Sequence, residues 1–287
     1  GVRLVGSEMC IRDRGSDVTH SHSASPASST TPASHRRPDP TDSSDAKPGT
    51  RRGRIVVLLP PTPLLIPEAT GHAQYPAQLR TEIDRARQWI LPTDGPITIA
   101  FHPDDSMATR HVGSLKAWGI DVNVGAGTYL PDLVLRALLR RWRYDGEIIS
   151  VDIHDVQFLA DDGPLLIAAD GGAGLHPDAP LGDVPGAWAL EEQLRRFVID
   201  PAAQASAPLF DVTAAAHCGI DPEPWIAWAD FCRSHPSGVS TLYHWSSIDD
   251  RVQTTAEQHD DPCTHDGPPA YGGIGFHCGV WQLTTVM

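Results

Sequence analysis

The chain lacks the short signatures of several large enzyme classes. It has no GxSxG elbow, so a serine nucleophile has no strand–turn–helix to stand on. It has no GxGxxG fingerprint and no P-loop lysine, which removes the usual cradles for nucleotide phosphates. Its five cysteines show no CxxC spacing, so a structural zinc or dithiol redox site is not expected, and Cys218, Cys232, Cys263 and Cys278 read as reduced packing residues. No apolar run approaches the roughly 18 residues of a membrane span, and no secretory signal pattern is present. The expectation is a cytoplasmic protein without a membrane partner.

Positive charge is also scarce. The chain holds 22 Lys and Arg against 36 Asp and Glu, a net charge of −14 at pH 7. Eight of the basic and six of the acidic residues fall in residues 1–52, leaving 14 against 30 in the remainder. Such a body repels nucleic acid and anionic membranes.

Large apolar residues are nearly absent from the first part of the sequence. Residues 15–52 are Ser, Thr, Pro, Asp, His and Arg with almost no aliphatic or aromatic side chain. They cannot bury enough area to offset the entropy of ordering and are expected to be a disordered or non-native tail. Residues 1–14, GVRLVGSEMCIRDR, resemble translated sequencing-adaptor strings and are expected to be an assembly artefact. Fold reasoning therefore starts at residue 53.

What is present from there on alternates between strands and helices. RIVVLL at Arg54–Leu59 is an apolar, β-branched run that stops at Pro60-Pro61, as expected of a strand buried on both faces. Leu79, Ile83, Ala86 and Ile90 repeat with helical spacing and Pro92 ends the helix. Further strands are expected at Ile97–Phe101, Glu147–Ile153, Pro164–Ala169, Val239–Tyr243 and Ile274–Trp281. Helices are expected at Leu130–Trp142, Ala187–Val198 and Pro222–Arg233. This alternation predicts an α/β fold: a single domain over residues 53–287, with a mostly parallel central sheet flanked by helices.

In such sheets ligands bind beyond the carboxyl ends of the strands. Five clusters follow strands: Pro60–Glu68, His102-Pro-Asp104-Asp105, Asp152-Ile-His154-Asp155, Asp170-Gly-Gly-Ala-Gly-Leu-His176, and the C-terminal segment Ala270–His277. Several place histidine beside carboxylate, and two neutral imidazoles with one carboxylate are what a non-haem iron(II) site requires. With eleven histidines in residues 53–287, a solvated loop histidine competes with metal or catalytic duty at each of His102, His154 and His176. The glycines of 170–174 would let backbone N–H groups approach an anion or simply permit a tight turn. Trp225 and Trp228, on one helix, suit a core or an interface, or a stacking surface for an aromatic ligand.

Taken in order, these segments resemble a family. PPTPLLIPE after the first strand is similar to the VPHPPLLVPE opening of the subunit-B-like class III extradiol ring-cleavage dioxygenases, relatives of the catalytic subunit of protocatechuate 4,5-dioxygenase. TYLPDLVLRALL, PLLIAADGGAGLHPDAPLG and PPAYGGIGFHCGVW agree with that family in the same order, over about residues 54–282. The style of LRALLRRWR is that of high-GC bacterial coding, as in that family.

The resemblance implies Fe(II) held by two histidines and a glutamate, a further histidine acting as acid and base, and a small aromatic ligand. Carried over by position, His102 is the metal residue after the second strand and His176 the catalytic histidine. The first ligand position is Pro61, which has no donor atom, and the nearest histidine, His72, lies eleven residues on. The late glutamate has no clear counterpart, with Glu223 or His217 as the available substitutes. The expectation is a degenerate iron site. Two alternatives stay open: a non-catalytic ligand-binding or assembly protein, including a homo-oligomer, and a different metal site using His102, Asp104 and His154 or His176.

Overall fold

The computed structural model describes residues 53–70, 74–93, 95–158, 163–204, 208–248 and 273–284. The expectations for residues 1–14 and 15–52, and those involving His72 and Cys263, fall outside these residues.

Among the described residues six strands form one sheet: β1 (Ile55–Leu59), β2 (Ile97–Phe101), β3 (Ile148–Asp152), β4 (Leu165–Ala168), β5 (Val239–Ser246) and β6 (His277–Leu283). Their order across the sheet is β3-β2-β4-β1-β6-β5. β1, β2, β3 and β4 pair in parallel, while β6 runs antiparallel to both β1 and β5. The sheet is therefore mixed, and the expectation of a mostly parallel one is corrected here. The chain leaves β5 and enters β6 at the same edge, with Ser246 opposite His277. Such a return gives an antiparallel pair, whereas a parallel partner needs a crossover to the opposite edge.

Among the described residues seven α-helices accompany the sheet: α1 (Pro67–Thr70), α2 (Gln74–Ile90), α3 (Leu130–Arg141), α4 (Ala187–Ile199), α5 (Pro201–Gln204), α6 (Val212–His217) and α7 (Glu223–Ser234). The period-two alternation of strand side chains divides them into two layers. Val57 and Leu59 of β1 pack with Leu79, Ile83, Ala86 and Ile90 of α2 and with Leu133, Leu135 and Leu138 of α3. Val56 and Leu58 face the other way, onto Leu190, Leu194 and Phe197 of α4 and Trp225 and Trp228 of α7. Both faces of β1 are covered, which is why its sequence is an uninterrupted apolar run.

Trp225 and Trp228 are wholly buried, and Trp228 packs 5.1 Å from Trp281 between ring centroids. They are core residues, so neither a stacking surface for a ligand nor a partner-facing patch is formed by them. Cys218, Cys232 and Cys278 are free and buried, as packing residues should be.

Candidate functional site at the carboxyl edge

Because β1 to β4 are parallel, their carboxyl ends lie along one edge. β6 is reversed, so its first residue, His277, reaches the same edge. Pro61, His102, His154, Asp170 and His277 thus stand beyond neighbouring strand ends, although 216 residues of sequence separate the first from the last. Two groupings form there.

The outer grouping contains His102. Its Nδ1 lies 3.0 Å from Asp221 Oδ2, and its ring meets His154 edge-to-face with 5.9 Å between centroids. His154 Nε2 is 3.7 Å from Glu223 Oε2. Asp221 is fixed from its other oxygen, which accepts the backbone N–H of Glu223 at 3.1 Å. All four side chains are partly exposed, from 33 to 53%. In the tautomer with its proton on Nδ1, His102 donates to Asp221 and leaves Nε2 as an acceptor.

The inner grouping is buried. His277 Nε2 lies 2.7 Å from Glu191 Oε2, both side chains fully enclosed. Glu191 Oε1 accepts the backbone N–H of Gly172. The glycine run after β4 therefore does bring an amide to an acidic side chain, and that side chain is the protein's own Glu191. A Cβ on Gly171 would lie 2.7 Å from Glu191 Oε1, and one on Gly275 would fall inside the same carboxylate. Gly275 N–H also donates to Gly172 O at 2.7 Å, so two glycine segments close around the acid.

Asp170 adjoins both groupings. It is only partly exposed as a residue, and its Oδ1 is enclosed and has no partner among the described residues. Burial, then the charges of Glu191 and Asp221, push its carboxyl up to about 7. Its backbone carbonyl accepts Trp225 Nε1–H at 2.9 Å, which ties α7 to the end of β4.

The other sequence candidates are placed as follows. Asp104 caps the short 3-10 turn Asp105–Met107, bonding Ser106 N at 2.8 Å and Ser106 Oγ at 2.7 Å. Those bonds, and to a smaller extent the charge of nearby His102, hold its carboxyl below the usual range, and its side-chain hydrogen bonds go to Ser106. His176 lies past the glycine run. Its Nδ1 accepts the backbone N–H of Asp178 at 3.1 Å and stands 3.5 Å from that residue's carboxylate. Its Cβ packs close against the backbone of Gly273. His217 is the last residue of α6.

Glu191, Asp221 and His277 were not singled out as site residues in the sequence, yet two of them left a signal. Glu191 falls four residues after Ala187 and three before Leu194, on the apolar face of α4. His277 opens a strand that is otherwise almost wholly apolar. Two lone ionisable residues on buried faces require partners, and here each is the other's. Asp221 precedes a helix and looks like any capping residue in sequence.

The donor set can be compared with what iron(II) needs. Pro61 offers nothing, His102 is braced as a ligating imidazole would be, and the available carboxylates are engaged by Asp221–His102 and Glu223–His154. Among the described residues, no three His, Cys, Asp or Glu side chains converge on one metal-sized point. Among the described residues, the two-histidine, one-glutamate set that the resemblance implies is not brought together.

No protein-family model and no curated protein matches the chain. Fold and edge define a mixed, three-layer α/β protein. Among the described residues no helix is long and apolar enough to cross a membrane.

Proposed function

We propose that this is a class III extradiol dioxygenase-like protein whose parental iron site is degenerate. In this reading it binds a small phenolic ligand at the carboxyl edge without cleaving the ring. The observation that carries the proposal is the 3.0 Å contact between His102 Nδ1 and Asp221; the resemblance puts the first ligand position at Pro61, which has no donor atom. An imidazole oriented by a carboxylate accepts a phenolic O–H through Nε2 without needing a metal. His154, 5.9 Å away between ring centroids, supplies a second imidazole for a vicinal hydroxyl. The order of the sequence segments supports the scaffold, and the four parallel strands with helices on both faces are compatible with it.

Metal analysis and oxygen uptake on the purified full chain test this. The expected result is well under one iron per chain, no oxygen consumption with protocatechuate or catechol, and a rise in melting temperature with catechol that His102→Ala removes. Stoichiometric iron with oxygen uptake on a catechol would overturn the proposal.

A further inference from the structure

One cavity is lined by none of the residues of the two groupings described above. After β1 the chain turns at Pro63–Leu65 and packs back against α3, enclosing a space of about 340 Å³. Leu65, Ile66 and Ala137 form its apolar wall, and Arg140, Arg141 and Glu68 its polar rim. That volume lies at the lower end of small-molecule sites.

The rim carries more positive charge than the chain's composition would suggest. Arg141 Nη1 donates to Leu65 O at 2.9 Å and Nη2 to Asp84. Behind it, Arg80 Nη1 donates to Leu64 O at 3.1 Å and to Thr70 Oγ1 at 2.7 Å. Arg140 Nη1 donates to Asn123 O at 2.5 Å. Carbonyls orient a guanidinium but do not neutralise it. Asp84 is shared between Arg141 and Trp142 Nε1, and among the described residues Arg140 meets no carboxylate. Burial and the nearby Arg141 lower the pKa of Arg80, as expected where like charges crowd. Glu68, the one acid on the rim, is exposed and forms no ion pair among the described residues. Arg140 and Arg141 also suit the C-terminal end of α3, where cations offset the helix dipole. That role explains two charges in the last turn, not an apolar wall opposite them.

We propose that this cavity is a site for a small organic carboxylate, its anionic head on Arg140 and its apolar body against Leu65, Ile66 and Ala137. Inorganic phosphate would leave the apolar wall unused, and a neutral ligand would leave the guanidinium uncompensated. Arginine fits the planar carboxylate through paired N–H donors, which a lysine at this place would not provide.

Calorimetric titration of the full chain with hexanoate tests the site, with hexanamide and inorganic phosphate as controls. Hexanoate is expected to bind at least tenfold more tightly than either. Arg140→Ala, an exposed position whose loss the fold tolerates, is expected to weaken hexanoate at least tenfold, and Arg140→Lys to restore part of it. His102→Ala is expected to leave hexanoate binding unchanged, which separates this site from the carboxyl edge. Equal binding of hexanoate and hexanamide, equal binding of phosphate, an unaffected Arg140→Ala variant, or loss through His102→Ala would each overturn the proposal.

Discussion

His277 Nε2 and Glu191 Oε2 stand 2.7 Å apart with neither side chain exposed to solvent. The pair joins the first residue of β6 to the middle of α4 and holds the glycine segments on either side of it. A buried ionisable pair adds little net stability, because desolvation offsets attraction, but removing one partner strands the other.

Glu191→Ala is therefore expected to destabilise the fold by about 3–5 kcal/mol, since it leaves both His277 and the Gly172 amide without their acceptor. Glu191→Gln keeps an acceptor for Gly172 and should cost less. Urea unfolding with coincident fluorescence and circular dichroism transitions would measure both. A loss under about 1 kcal/mol for the alanine variant, the scale of an exposed pair, would mean that the pair does not brace the edge.

Gly275→Ala probes the same cradle from the backbone side. Its Cβ would enter the Glu191 carboxylate. Overpacking of that kind costs roughly 1–3 kcal/mol. The double variant Gly275→Ala with Glu191→Ala should cost less than the sum of the two, because the colliding group is gone. Strict additivity would show that the clash is relieved elsewhere.

Asp170 should make stability depend on pH in an unusual direction. Its carboxyl is raised from 3.8 to about 7 in the folded state, so the native form holds the proton more tightly than the unfolded one. Its stabilising contribution is fully present below about pH 4 and is lost as pH rises through about 7. That loss is worth up to roughly 4 kcal/mol at about 1.4 kcal/mol per pK unit. Asp170→Asn should flatten this slope and be more stable than the parent at pH 8. Denaturation midpoints at pH 5 and pH 8 for the two proteins decide it, and parallel pH dependences would refute the assignment.

A further brace lies under β3. Asp132 of α3 is 3% exposed at its side chain; it accepts Arg136 Nε–H at 2.8 Å and Ser150 Oγ–H at 2.7 Å. Burial raises its pKa although both partners oppose that. Asp132→Ala should cost about 3 kcal/mol by stranding Arg136, while Ser150→Ala should cost about 1 kcal/mol. Thermal unfolding of both variants checks the ranking, and the reverse order would be incompatible with this network.

Much of the fold was legible in the sequence because its signals are local. Ile97–Phe101 is a strand over the same residues expected from its apolar run, and α2 buries Leu79, Ile83, Ala86 and Ile90, the four positions its spacing marked. The direction of β6 was not legible. Its residues are buried on both faces, and an apolar run of that length reads the same whichever way it points. The short α6 also escaped, since VTAAAH carries too few residues to show a period.

By itself, then, the sequence determined the strands and principal helices, the excess of acidic residues and the histidines that follow strands. Tertiary structure alone decided which groups meet: Asp221 with His102, Glu191 with His277, and Arg140 with the apolar turn after β1. Periodicity records which face of an element is buried. Pairings between residues far apart in sequence, 86 positions for Glu191–His277 and 119 for His102–Asp221, depend on strand order and direction, which the reversed β6 between β1 and β5 changes without altering any local pattern.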